Sequence, residues 1–199
     1  MLFGRPAQGR RRTQRERSDA TRGALVTAAR RLFAVQGYHC TPAEQVVRLA
    51  EVTSGALYHH FDGKRGLFRA AFDAVERSLA ERVRKAALGG TDPWERLELG
   101  VREYLRCCVE PEVRQIVLVD GPSVLGWDEW RAADAEHHLQ PLAAALASAM
   151  RARLIERRPP LPLAHVLLGA LTEAGLASSG DFAEAESATL WLLGRLKTG

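Results

Sequence analysis

The feature that most restricts the fold of this chain is the spacing of its apolar residues. They recur three and four apart in almost every segment, and no long run alternates at period two. Leu25, Ala28, Ala29, Leu32 and Phe33 form one such stripe. Leu67, Phe68, Ala71, Phe72, Val75, Leu79 and Val83 form another. β-branched residues are scattered rather than gathered into strand-length runs. The expected class is all-α, with about nine helices.

Local punctuation places the elements. A first helix begins at Ser18 or Asp19 and stops at Gly37. "TPAE" reads as Thr41 at the N-cap, Pro42 in the first turn and Glu44 closing a capping box. A short third helix opens at Thr53 or Ser54 and runs through "GALYHHF". Asp62 caps a long fourth helix, and "GGTDP" at 89–93 is the clearest linker. Beyond it, helices are expected near 93–109, 111–119, 127–157, 162–179 and 183–197, with Pro141 where the third of these would break. Residues 1–17 are Arg-rich without an apolar face and read as a mobile basic arm. Residues 18–66 then form one unit and residues 67–199 another.

Charge separates the same two parts. Residues 1–88 carry 17 Lys and Arg against 8 Asp and Glu, whereas residues 89–199 carry 11 against 16. An anionic partner is expected for the first part and none for the second. No apolar run is long enough for a membrane span, and no apolar segment follows the basic N-terminus as a signal peptide requires. Cys40, Cys107 and Cys108 are odd in number and two are adjacent, a poor disulfide framework that fits a reducing cytoplasm.

The chemistry concentrates in "TPAEQVVRLAEVTSGALYHHFDGKRGLF", residues 41–68. Two helices joined by a short turn, the second polar and exposed, form the helix-turn-helix pattern, whose second helix enters a DNA major groove. Thr53 and Ser54 can hydrogen-bond many bases, and Gly55 and Ala56 let the backbone approach closely. Leu57 and Phe61, four apart, face a core while Tyr58, His59 and His60 point elsewhere. Lys64 and Arg65 stand in the first turn of the fourth helix, against its dipole, at a cost of roughly 0.3–1 kcal/mol each. A bound phosphate would offset that cost. Thr41 lies at another helix start, placed to do the same.

Residues 18–72 resemble the DNA-binding domain of the TetR family of bacterial transcriptional regulators. The marks are "AARRLFAVQGYHCTPAEQVV" followed by "TSGALYHHFDGKRGLF". Glu51 departs from the pattern, which carries Gly in that turn. The resemblance implies a ligand-responsive regulator, a repressor in the family's usual mode. A homodimer would place residues 53–60 of each subunit in one half-site of a near-palindromic double-stranded operator. By that resemblance Thr41, Tyr58, His59, His60 and Lys64 hold phosphates or nearby bases, while Thr53, Ser54 and Gly55 face the groove. Arginines at 10–17 would reach an adjacent minor groove or the backbone. The competing reading is an architectural, non-specific DNA-binding protein.

The resemblance also implies a C-terminal domain that binds a small-molecule effector and dimerises through its last two helices, here 162–179 and 183–197. Tyr104, Cys108, Trp127, Trp130 and His137 are the candidate lining of an effector pocket. His137 and His138 are adjacent, as are Cys107 and Cys108, so neither pair shares a helix face for joint metal ligation. No metal or other cofactor is expected. The motifs G-x-S-x-G, H-E-x-x-H, C-x-x-C and a P-loop are all missing from the sequence, which argues against an enzyme.

Overall fold

The computed structural model describes residues 13–177 and 182–198, and all its regular elements there are helices. Nine run in chain order when directly continuous segments are joined. They are α1 (Gln14–Gln36), α2 (Ala43–Leu49), α3 (Ser54–His60), α4 (Gly63–Ala87) and α5 (Pro93–Cys108). Next come α6 (Val113–Asp120, wound as a π-helix, running on as Gly121–Leu125) and α7 (Trp127–Asp134, a π-helical Ala135–Leu139, then Gln140–Arg151). The chain ends with α8 (Pro160–Leu176) and α9 (Phe182–Gly194).

Three expectations at helix ends change. Of the arm expected over 1–17, residues 1–12 lie outside the described residues, but Thr13 already caps α1. Its hydroxyl accepts the Glu16 N–H at 3.2 Å and the Glu16 carboxylate accepts the Thr13 N–H at 2.8 Å. This reciprocal box starts α1 ahead of Ser18. Thr41 is not a cap: it is fully buried, and its hydroxyl donates to the Gly37 carbonyl at 2.7 Å. The chain turns into α2 at Pro42 instead, with no side-chain cap, and Asp62 likewise makes no cap hydrogen bond to α4. The helix containing Pro141 does not break. A wide π-turn immediately precedes the proline and absorbs its missing N–H and ring within a continuous helix.

The turn between α2 and α3 keeps its shape despite Glu51. Glu51 takes φ 55°, the left-handed conformation that glycine adopts freely. The Val52 N–H bonds the Val47 carbonyl and the Glu51 N–H bonds the Arg48 carbonyl, so α2 ends in a Schellman motif with glutamate at the glycine position.

One core runs through the molecule. α1, α2 and α3 bury Leu25, Phe33, Val46 and Leu57 against Leu67, Phe68 and Phe72 of α4. Phe68 sits 5.4 Å from Phe33 and 5.1 Å from Tyr38, ring centroid to centroid. Past Val75, α4 changes neighbours and packs along α5. α6 and the start of α7 then hold the first unit from the other side. Asp120, buried, accepts the Tyr38 N–H at 2.7 Å. Arg30 grips Glu112 through two bonds of 2.6 and 2.8 Å. Arg65 donates to the Val124 and Leu125 carbonyls and, with Arg69, to Glu129.

Two measurements follow from this framework. Left-handed φ at a residue with a Cβ costs about 1–2 kcal/mol, partly offset by the larger chain entropy of glycine. Glu51→Gly is therefore expected to raise unfolding stability by about 1 kcal/mol in urea titration, and a loss of stability would contradict the account of the turn. The second concerns Glu129. Partial burial raises its carboxyl, but hydrogen bonds from Arg69 and Arg65 outweigh this and hold it below the usual carboxylate value. A lowered folded value gives stability that is present above the unfolded carboxylate value of about 4.3 and is lost as pH falls through the folded one. The urea midpoint of the native protein is expected to fall more between pH 7 and pH 3 than that of Glu129→Gln. Equal losses would mean that the clamp contributes nothing.

Candidate nucleic-acid interface and cavity

α3 is built to present one face. Leu57 and Phe61, both buried, pin it to the core, and the Thr53 hydroxyl accepts the Ala56 N–H at 3.3 Å to start it. Four apart on the helix, the two anchors leave the opposite side free. Thr53, Ser54, Gly55, Tyr58 and His59 are exposed there, Tyr58 at 66%, and His60 is half-buried. An exposed tyrosine of that degree on a seven-residue helix has no packing role. The start of α1 runs alongside. Gln14, Arg17, Ser18 and Thr21 face Thr53, Gly55, Ala56, His59 and His60 across a shallow groove of about 380 Å³. The α1 side of this groove was hidden in the sequence, because the stretch read as an arm rather than a helix. The signal that could have revealed it is the Thr-x-x-Glu spacing at 13–16.

Lys64 and Arg65 part company. Lys64 lies half-buried with its Nζ 4.1 Å from the Tyr38 ring centroid, and partial burial lowers its ammonium below the ordinary lysine value. It stays on the side of the first unit. Arg65 turns the other way and is consumed by α6 and α7, so it does not join Lys64 at an anion. The ion pair with Glu129 is what offsets its unfavourable place at a helix start. Thr41, expected at a phosphate, is buried and holds the end of α1 to the start of α2.

A second space opens where α4, α5, α7 and α8 converge, a cavity of about 580 Å³. α4 contributes Arg77, Ala80, Glu81, Val83, Arg84 and Ala87; α5 contributes Arg96, Leu97, Gly100, Val101 and Tyr104. From α7 come His137, His138, Pro141, Leu142 and Ala145, and from α8 Leu168 and Leu171. The wall is mostly apolar with a few polar groups at fixed places, the usual make-up of a small-molecule site. Of the five residues expected to line a pocket, Tyr104 and His137 do. Cys108 is buried beside Gly175 instead; any Cβ at Gly175 would come within 2.7 Å of it. Trp130 is buried with its indole N–H donating to the Val117 carbonyl at 3.0 Å, and it serves the joint between α6 and α7. Trp127 is 64% exposed and stacks outside Trp130.

The sequence reading missed the pair behind the cavity wall. Glu76 of α4 is buried, and its carboxylate meets Nε2 of His138. The His138 ring meets Tyr104 edge-on at 5.4 Å. The signal was present: Glu76 falls on the apolar stripe of α4, between Phe72 and Leu79 at helical spacing, where a carboxylate needs a partner. Burial raises the nearby Asp134 carboxyl and the Tyr104 hydroxyl. It pushes the Cys107 thiol up to about 12 and raises that of Cys108 as well, so both stay protonated and neither is a ready ligand or nucleophile. Among the described residues no three metal-ligating side chains gather, and no helix is long and apolar enough to cross a membrane.

Comparison with known proteins agrees with both halves of this architecture. Residues 25–71 match the family described as bacterial regulatory proteins, tetR family, and residues 94–199 match the Tetracyclin repressor-like, C-terminal domain. The chain is 35% identical over 100 residues to the HTH-type transcriptional activator FasR of Mycolicibacterium smegmatis, a match covering 50% of this chain and 46% of FasR. It is 37% identical over 67 residues to the HTH-type transcriptional regulator TtgR of Pseudomonas putida, covering 34% and 32%. The chain spans about half the length of the curated relatives it matches. A solved TetR-family transcriptional regulator from Pectobacterium atrosepticum superposes with a TM-score of 0.82 at 29% identity, covering 94% of this chain and 99% of that one. The helix-turn-helix, the long α4 and the matched C-terminal half together place this chain in the TetR family of bacterial transcriptional regulators.

Proposed function

We propose that this protein is a cytoplasmic, ligand-responsive transcriptional regulator, acting as a repressor. It would bind a near-palindromic operator as a homodimer and leave it when a small molecule fills the cavity. The observation that carries this reading is the double role of α4. Its first turn packs into the helix-turn-helix unit, with Lys64 over the Tyr38 ring, and Arg77 through Ala87 form one wall of the cavity. A ligand that moves α4 therefore moves the DNA-binding unit, which α6 and α7 also hold. Recognition helices of a dimer reading two half-sites must stand about 34–36 Å apart, and a small pivot spoils that spacing.

The dimer face is supported by α8 and α9. Leu161, Val166, Leu176, Trp191 and Leu192 are large apolar side chains that lie exposed on these two helices, Val166 at 73%. Gly169 and Gly194 are open to close approach from outside. Apolar residues that wrap a helix and find no cover among the described residues fit a helix-helix contact with a second copy. Val166→Glu combined with Trp191→Glu is expected to give a monomer by light scattering and to lose operator affinity. A dimer of unchanged stability would place the interface elsewhere.

Operator binding is tested by fluorescence anisotropy on duplex DNA from upstream of the gene, with scrambled duplex as control. A specific regulator is expected to prefer its site by roughly 10³-fold or more, with affinity falling as salt rises. Tyr58→Ala and His59→Ala are expected to weaken binding while changing stability by less than about 0.5 kcal/mol, as exposed sites do. Thr41→Val is expected to cost about 1 kcal/mol of stability through its lost hydrogen bond. Equal affinity for both duplexes would favour an architectural protein. A ligand-bound dimer with unchanged recognition-helix spacing and unchanged affinity would overturn the release mechanism. FasR is named an activator, so a reporter fused to the operator decides the direction of control.

A further inference from the structure

We infer that the cavity takes an elongated apolar carboxylate, an alkyl or aryl-alkyl acid, with its carboxylate at the end formed by Arg77, His137 and His138. The inference rests on the reading of this cavity as the effector site, and it assigns the chemical class of the effector.

The charges of the lining decide the sign of the ligand. Glu81 is the only carboxylate residue among the lining residues, and Arg84 holds it through bonds of 2.6 and 2.8 Å. Glu76 lies behind the wall and is engaged by His138. A cationic ligand would therefore find no free anion. The cations are in excess: Arg77, Arg84 and Arg96 border the space together with two histidines. Arg96 gives its Nε–H to the Gly90 carbonyl, and Arg77 has no hydrogen-bond or ion-pair partner among the described residues. A carboxylate entering an apolar space needs donors to replace its water, and a guanidinium without a partner supplies two in the matching geometry.

The position of the head follows from α4. Arg77 comes directly after Glu76, which bonds Nε2 of His138. Arg77 and His138 therefore both border the end of the cavity at this level of α4, with His137 next to His138 in the chain. His138 spends Nε2 on Glu76 and borders the space with its ring, so the donors left for the head group are Arg77 and His137. Glu76 fixes the orientation of that ring, as a carboxylate behind a histidine does at many binding sites. From Arg77 to Ala87 the α4 wall runs about 15 Å, at 1.5 Å per residue. Ala80, Val83, Val101, Leu142 and Leu171 line the space between. The length and the apolar wall suit a slender tail rather than a compact polar molecule.

The test is isothermal titration calorimetry of the full chain with three probes of one tail length, below their aggregation concentrations. They are sodium decanoate, decan-1-ol and decyltrimethylammonium. Decanoate is expected to bind once per chain, at least tenfold more tightly than decanol, with the cation weakest. Arg77→Ala is expected to weaken decanoate at least tenfold and to leave decanol unchanged. Arg77 is exposed, so this variant keeps its fold. Ala145→Trp, which fills the cavity, is expected to abolish binding. If decanol or the cation binds as tightly as decanoate and Ala145→Trp removes that binding, the cavity is a ligand site and the carboxylate assignment falls. Decanoate binding untouched by both Arg77→Ala and Ala145→Trp, or no binding of any probe, also overturns it. Operator release is read separately by anisotropy. Decanoate that binds in the cavity yet leaves operator affinity unchanged would sink the effector reading and spare the ligand assignment.

Discussion

A buried carboxylate on α6 holds the molecule in its working shape. Asp120 accepts the Tyr38 N–H at 2.7 Å, at the point where the chain leaves α1. The contact depends on Gly37 in two ways. Gly37 takes φ 75° to end α1, and a Cβ there would come within 3.1 Å of Gln115 and 3.5 Å of Asp120. Glycine thus makes the turn easily and also leaves the Gln115 amide room beside it. The Tyr38 ring then meets Phe68 edge-on and carries Lys64 above its face, so one loop joins the C-terminal half, the core and the unit that would meet DNA.

This joint is what would let α4 act as a lever in the proposed release. α4 is held at its start by Arg65 and Arg69 on the far side and by the aromatic cluster on the near side. Farther along, it packs on α5 and borders the cavity with another side. A helix packed on neighbours along its length would pass on a displacement begun at the cavity, because close-packed contacts shift together rather than deform. The wide turn before Pro141 belongs to the same device. It carries His137 and His138 to the cavity, and the Glu76–His138 pair ties α7 back to α4 across it.

Much of this was legible in the residues. The apolar stripes located α1 and α4, and the buried residues include those that the spacing picked out, among them Leu25, Phe33, Leu67, Phe72 and Leu79. The exposed face of α3 was legible too, since Leu57 and Phe61 take the inner side and leave Tyr58 and His59 outside. The pocket was poorly legible. Trp127, Trp130 and Cys108 carry the marks of a ligand wall, size and polarisability, but those marks are shared with core and surface residues. Lys64 and Arg65 are neighbours in sequence and equal in charge, yet one lies over the Tyr38 ring and the other is spent on Glu129.

Helical spacing and turn residues determined by themselves the all-α class and the helix-turn-helix, and the charge count by itself gave the first half its excess of positive charge. These are local properties, set by which side chains recur on one face and which groups satisfy a helix end. Only the tertiary structure decided that Thr41 is buried, that Arg65 belongs to the clamp, and that a carboxylate on the α4 stripe meets a histidine some sixty residues away. Each of these depends on which elements become neighbours, and that choice is made by packing between helices rather than by the spacing within any one of them.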